Sequence, residues 1–520
     1  MGRRPSLPEV FLSHNDMKDV TREEMKAGRI RKIGPHLYTT DLRTPVDRLV
    51  RRNLWSLVSA YFPGALIADR TAFENRPAED GSVFVVSERV TEVNLPGLRI
   101  RPRPGVGALP TDNRYMGNLH LSSPGRAVLE NMLPSRARSG ASRTTGRRGV
   151  EDYLEGVLRM SGADQVNRIR DEARSVAGAL GLDGEFRALN TIVGALLGTE
   201  KDDLIQDPAA RARASGLPYD PRRLEAFEAL RADLAARPPR LRPVDPEDAG
   251  AMETAAFFEA YFSNFIEGAE FEVEEAFDIV FRGVIPAARP QDAHDVLGTF
   301  RVVSGTAEMN RLPRDAGEFE ALLKSRHHTV MSSRQDKRPG NFKVHGNRAG
   351  EYSFVAPDLV RGTLAKGFEF YRSLADAGPF ARAAFMMFLV SEVHPFEDGN
   401  GRVARIMMNA ELAARGQHRI IIPTVFRNEY LDSLRALSQN HKAAGLFEVL
   451  NYAQRYVSVV PWRDYAAAYG VLDATGAFMK PNEADRQGIR LRIPSPEVLL
   501  RIERAEVEAR PPQPPGAHTA

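Results

Sequence analysis

The stretch Val393-His394-Pro395-Phe396-Glu397-Asp398-Gly399-Asn400-Gly401-Arg402-Val403-Ala404-Arg405 decides how this chain is read. Upstream of it, Phe380 to Glu392 is a largely apolar helical stretch. Downstream, Val403, Ile406, Met407 and Ala410 keep helical spacing through Ala414. The quoted segment is therefore a loop between two buried helices, and it ends at a helix N-terminus. Gly399 and Gly401 let successive backbone N–H groups turn inward as an anion nest, reinforced by the positive end of the helix dipole. Arg402 and Arg405, three apart on one helical face, reach into the same space. That is chemistry for a polyphosphate. Asp398 at the loop's edge suits Mg²⁺, a hard cation that takes carboxylate and phosphate oxygens together. His394 is the one group of the loop able to take a proton near neutral pH.

A calcium loop is excluded by particular residues. Asp398-Gly399-Asn400-Gly401 has the look of one, but Val403 and Asn409 stand where an EF-hand needs Gly and Glu. No Walker A sequence occurs, which excludes a P-loop NTPase. A capped helix–loop–helix around a buried histidine accounts for any two of these residues. It does not account for a base, a carboxylate, two glycines, an asparagine and two arginines together. Elsewhere, His327 and His328 are sequence neighbours that diverge by about 100° on a helix, so they make no metal pair.

The segment matches the motif H-x-F-x-[DE]-G-N-G-R-x-x-R at every specified position, and so resembles the Fic (filamentation induced by cAMP) family. The resemblance extends over roughly residues 250–456, with helices expected at 270–283, 292–308, 317–330, 357–374, 378–392 and 402–415. Pro339 to Asn347, returning through Tyr352 to Pro357, looks like the family's β-hairpin flap, with Phe342, Lys343, Val344 and His345 offering a free edge to a target segment. Ile420 to Thr424 and Tyr430 look like the segment that follows the motif helix. The resemblance implies transfer of AMP from ATP to a Ser, Thr or Tyr hydroxyl of a target protein. His394 would be the base and Asp398 the Mg²⁺ ligand, while Gly399, Asn400, Gly401, Arg402 and Arg405 would hold the phosphates. Phe396 would point into the core and fix the loop's direction.

A second signature of the family lies upstream. Ser263-Asn264-Phe265-Ile266-Glu267-Gly268 fits [ST]-x-x-x-E-[GN], the inhibitory motif, on a helix expected at about 252–267. Ser263 and Glu267 share one helical face, and Gly268 ends the helix. The resemblance implies that Glu267 pairs with Arg405 and restrains transfer. The plainer reading is an exposed glutamate at the end of a helix that packs through Phe258, Phe262 and Phe265.

Outside this region the sequence speaks about organisation. The chain has 520 residues, more than one core usually organises, so several domains are expected. Hydrophobic residues at 42% and charged residues at 27% describe an ordinary globular protein. There is no cysteine, which rules out disulfides, thiolate zinc sites and a cysteine nucleophile. With 71 Lys+Arg against 68 Asp+Glu, a basic whole-chain field is no argument for nucleic acid. The N-terminus has no apolar signal core, and the most apolar stretch, Ala383 to Val390, is too short to span a bilayer. A cytoplasmic protein without membrane partners is the expectation, and a homo-oligomer stays open.

Residues 1–45 are expected to form a winged-helix-like unit: a helix capped by Ser13, another capped by Thr21 with Glu24, then a hairpin of Arg29 to Ile33 and Leu37 to Thr39. DNA binding through residues 10–40 and a small subdomain packed on its neighbour are both open readings of this unit. Residues 46–148 read as an α+β region, in which ten arginines between Arg99 and Arg148 are either a phosphate-binding run or a solvated surface with acidic partners elsewhere in the fold. The segment Met25 to Tyr38 and the following helix resemble AbiEi-type antitoxins, which have an N-terminal winged helix and a second domain. Residues 149–243 read as helices ending in a Pro/Arg linker, Arg237 to Pro243. Residues 457–510 are a C-terminal extension, and 511–520, rich in proline, a disordered tail.

The fold class expected is multidomain and mainly α: an all-α core with a hairpin flap, preceded by a winged-helix-like unit and an α+β region. The function expected is a self-inhibited protein AMP-transferase. The alternatives are a DNA-binding or toxin–antitoxin component whose Fic-like core is the effector, or an enzyme of the same fold that transfers another phosphate-containing group or removes AMP.

Overall fold

The computed structural model describes residues 7–136, 140–200, 205–245 and 252–494. The chain divides into two units, Met1–Gly216 and Leu217–Ala520. The fold is multidomain and mainly α.

The first unit opens with β1 (Val10–Leu12), α1 (Lys18–Lys26), β2 (Arg31–Gly34) and β3 (Leu37–Thr39), forming an antiparallel sheet of order β1-β3-β2. The expected hairpin is present. The expected pair of helices is not, because one 3₁₀ turn, Asn15–Met17, runs straight into α1. Thr21, expected as a cap, is buried inside α1 with its hydroxyl 2.9 Å from that of Ser13. Then come α2 (Val46–Arg52), α3 (Leu54–Tyr61), β4 (Leu66–Ile67), α4 (Asp69–Glu74), β5 (Ser82–Val86), β6 (Val93–Leu95), β7 (Leu98–Arg103), β8 (Asn113–Arg114) and β9 (His120–Leu121). The six strands from β4 onward form one sheet of order β6-β7-β5-β4-β9-β8. The central strand β5, Ser-Val-Phe-Val-Val, is buried along its length, as a strand covered on both faces must be. Four helices follow: α5 (Pro124–Met132), α6 (Gly146–Leu180, broken at Gly162), α7 (Asp183–Leu196) and α8 (Pro208–Ala214).

Two arginines of the run find acidic partners elsewhere in the fold, as the second reading allowed, but Arg126 does so in the interior and not on a solvated surface. Arg126 is fully buried and bonds Asp112 at 2.7 Å and Glu130 at 3.0 Å, while Arg103 bonds Asp69 at 2.6 Å and Glu130 at 3.1 Å. Buried charges persist only when paired and hydrogen-bonded, so this part of the run is an internal ion network.

The second unit begins with α9 (Pro221–Ala235), whose N-terminus is capped by Asp220 and stiffened by Pro221. It continues with α10 (Met252–Ile266), α11 (Val273–Arg282), α12 (Pro290–Ser304), α13 (Thr306–Met309) and α14 (Ala316–Val330). A small hairpin, β10 (Arg348–Ala349) and β11 (Tyr352–Ser353), precedes α15 (Val360–Ser373), α16 (Pro379–Val393) and α17 (Asn400–Ala413). Helices α18 (Arg427–Asn440), α19 (Ala444–Val457), α20 (Tyr465–Ala474) and α21 (Pro481–Gln487) complete it. Helix α16 is buried on nearly every face, which its all-round apolar sequence requires. Phe385, Met387 and Leu389 of α16 share one core with Val403 and Met407 of α17 and Phe227 of α9. A second core joins Phe257, Phe258 and Phe262 of α10 to Trp462 and Tyr465, so the C-terminal extension packs on α10.

The division expected at the Pro/Arg stretch lies elsewhere. Helix α9 belongs to the second unit, and residues 237–244 run along that unit's surface. Arg237 stacks on Phe447 at 3.9 Å, Arg242 donates to Gln454 at 2.8 Å and Asn451 at 2.8 Å, and Pro243 bridges Gln417. Proline and arginine suggest a linker by composition, but these arginines have specific partners. Among the described residues no helix is long and apolar enough to cross a membrane. The expected tail 511–520 lies outside the described residues.

Candidate active site

His394 caps α16 in the left-handed conformation, φ +52°, uncommon for a residue with a side chain and a strain that surrounding packing must hold. Its Nδ1 lies 3.3 Å from the carbonyl oxygen of Ser391, so Nδ1 carries the proton and Nε2 is left as the acceptor. Phe354 stacks on the ring at 3.8 Å. Burial, with Lys343 nearby, lowers the imidazole to about 4, so the ring is neutral across the physiological range.

The loop after His394 is closed by its own side chains. Asn400 accepts from the Phe396 N–H at 2.8 Å and donates to the Phe396 carbonyl at 2.9 Å. Asn400 thus ties the loop with its amide, a role the sequence reading did not give it. Phe396 is fully buried. Gly399 has φ +73°, and a Cβ there would press on Met331 Sδ at 2.8 Å. Both facts require glycine. Helix α17 begins at Asn400, and the first N–H groups of a helix have no partner within it. Asp398 stands at this mouth with its side chain 41% exposed, and one of its oxygens accepts from the Gly399 N–H at 2.6 Å.

The two arginines are not idle. Arg405 donates from Nε to Ser263 Oγ at 3.0 Å, and from Nη2 to the Ser263 carbonyl at 2.9 Å and Glu267 Oε1 at 2.6 Å. Glu267 follows the last residue of α10, and Gly268 beside it takes φ +93°. A Cβ at Gly401 would overlap Glu267 Oε1, so this carboxylate lies on the first turn of α17, where an anion is favoured. Burial pushes the Glu267 carboxyl up, but Arg405 and Arg402 outweigh it and hold the group below the ordinary carboxylate range. Arg402 is buried and donates from Nη1 to Asp295 at 2.6 Å and Asn264 at 3.2 Å.

The flap differs from expectation. Phe342 to His345 form no strand; the hairpin is the short pair β10–β11. The Lys343 N–H donates to the Pro395 carbonyl at 2.9 Å, and the N–H groups of Val344 and His345 both donate to Glu397 Oε1, at 2.9 and 3.3 Å. Their donors are therefore taken up by the loop beneath and do not present a free edge. Lys343 is buried, its ammonium donates to Asn347 at 2.7 Å, and burial with Arg223 nearby lowers it to about 7.

Residues 319–412 match the model of the Fic/DOC family. The chain carries a Fic domain. A protein adenylyltransferase fic-1 of Caenorhabditis briggsae is 27% identical over 188 residues, 35% of this chain and 37% of its own. A Fido domain-containing protein of Dictyostelium discoideum is 34% identical over 90 residues, 17% of this chain and 63% of its own. The chain thus spans between about a third and two thirds of these relatives' lengths. A solved structure of C. elegans Fic-1 covers 63% of this chain and 88% of its own at 16% identity, with a TM-score of 0.36.

Four residues around the His394 loop escaped sequence reading. His327, which sequence spacing gave no metal partner, accepts the Gly340 N–H on Nδ1 at 2.9 Å. Its Nε2 therefore carries the proton and donates to the Asp398 carbonyl at 3.0 Å, while its ring stacks on Phe396 at 3.7 Å. Burial lowers it to about 4. Asn264 and Asp295 hold Arg402, and Glu397 holds the flap. Glu397 and Asn264 occupy unspecified positions of their motifs, and Asp295 lies on another helix. Only an asparagine buried beside a serine on an apolar helix was a visible signal.

Proposed function

We propose that the chain transfers AMP from ATP to a Ser, Thr or Tyr hydroxyl of a target protein, and that Glu267 restrains it. The observation that carries this is His394, its Nδ1–H held by Ser391 and its Nε2 left as the acceptor, in the loop that ends at the N-terminal turn of α17. His394 Nε2 takes the hydroxyl proton as the oxygen bonds to the α-phosphorus, and the bond to the β-phosphate oxygen breaks, releasing pyrophosphate. The turn from Asn400 to Arg402 supplies N–H groups to the phosphates, and Arg405 does so once free of Glu267. Mg²⁺, when bound, would neutralise phosphate charge. Asp398, exposed at the mouth, fits as its protein ligand. No cluster of three or more ligating side chains occurs among the described residues, which suits a cation brought in with the nucleotide.

The test is labelling. Purified full-length chain and its Glu267→Gly variant are incubated with ATP labelled on the α-phosphate. Strong self- or target labelling by the variant over wild type is expected. No labelling by the variant, with ATP bound, overturns the reading.

A further inference from the structure

Each loop arginine is matched to an acid, but the two acids are held differently. Glu267 follows the end of α10, its side chain is 28% exposed, and it touches one guanidinium. It can swing away. Asp295 lies inside α12 with its side chain 1% exposed. Its Oδ2 accepts from Arg402 Nη1 at 2.6 Å and from Arg334 Nε at 2.7 Å, and Arg334 in turn reaches Asp292 at 2.6 Å. Departure of Asp295 from Arg402 would strand two buried charges.

We propose that Asp295 is a positioning residue for the nucleotide's phosphates: it pins Arg402 by one nitrogen, so that the rest of the guanidinium fork faces the loop. The inference rests on the AMP-transfer reading. A guanidinium has five N–H donors in a rigid plane. Asp295 and Asn264 both take theirs from Nη1. Arg402 Nε is buried without a hydrogen-bond partner among the described residues, and Nη2 points toward Asp398 Oδ1 at 3.8 Å. A buried donor left unmade is costly unless something completes it, and an anion at the turn of α17 would. The alternating row Asp292, Arg334, Asp295, Arg402 therefore holds the arginine ready in advance. Glu267 competes with phosphate for its arginine; Asp295 does not.

The opposite sign of the two acids gives the test. Full-length Glu267→Gly and Glu267→Gly/Asp295→Asn are titrated with a non-hydrolysable ATP analogue by calorimetry, and ATP kinetics and melting are measured alongside. Asparagine keeps the size and one acceptor oxygen but loses the charge. A fall of about tenfold in analogue affinity and in kcat/KM for ATP is expected, while a lower melting temperature, the cost of two arginines left without their acid, is expected in every background and does not count for the proposal. In an Arg402→Gln background the same change should have no effect on affinity, since there is nothing left to position. Equal loss in both backgrounds, or a gain of activity, overturns the proposal. If Asp295→Asn does not fold, Asp295→Glu goes through the same cycle, and a loss independent of Arg402 again overturns it. A cycle that holds while no transfer is seen refutes only the transfer reading.

Discussion

Arg405 is bonded to the Glu267 carboxylate at 2.6 Å, and on the proposed reading a phosphate competes for the same guanidinium while His394 Nε2 takes the proton. The imidazole is held neutral by burial, lowered to about 4 with Lys343 adding its charge. We therefore expect transfer by Glu267→Gly to keep its base down to about pH 5, without an acid limb near the ordinary histidine value of 6.5. An inflection near 6.5 that vanishes in His394→Ala would refute this. The same variant should lose about 10²–10⁴-fold of the rate and keep nucleotide binding, because the proposed phosphate contacts lie on α17. Stability carries the matching sign. His394 and His327 are both lowered from 6.5 to about 4, so between these values the unfolded chain binds protons that the folded chain does not. Stability should fall as pH drops through that window and level off below about 4. Melting at pH 7 and pH 5 checks it, and His327→Gln should flatten the difference.

At the scale of elements, α10 buries twelve of its fifteen residues, among them Phe257, Phe258 and Phe262. Undocking it would expose several aromatic side chains, each costing about 3–5 kcal/mol to truncate. Release of Arg405 must therefore be local, at Glu267 and Gly268 beyond the helix end. Glu267→Gly is expected to activate with little change in melting, whereas Phe258→Ala is expected to destabilise by about 3–5 kcal/mol. Equal destabilisation by both would mean that the helix itself is what moves. The motif loop, α10 and its neighbours were legible because contiguous spacing encodes them: His394, Asp398 and Arg402 fall within one loop and one turn. The flap was less so. Phe342 to His345 have strand-like composition, yet a carboxylate in the loop beneath, Glu397, takes two of their N–H groups, and no local pattern announces a partner fifty residues away. For the arginine run acidic partners were expected but could not be named, since Asp69 and Glu130 become its partners only once the sheet forms.

For the molecule as a whole, the division at Gly216 and Leu217 makes a sharper experiment than the linker expected at 237–243. Helix α9 contributes Phe227 and Leu230 to the core around α16, so a cut after residue 243 would strip the Fic domain of packing that a cut at 216 leaves intact. Among the described residues, the partners found for Arg405 and Arg402 lie within the second unit: Ser263 and Glu267 on Arg405, Asn264 and Asp295 on Arg402, Arg334 behind them. Restraint should therefore survive removal of the first unit. We expect a fragment of residues 217–494 to melt cooperatively and to label itself as weakly as the full chain. Glu267→Gly should raise labelling by the same factor in both. A fragment starting at residue 244 should melt lower, having lost α9. Strong labelling by the unsubstituted 217–494 fragment would show that the first unit is part of the brake, because nothing within the second unit would then have been keeping Glu267 on Arg405.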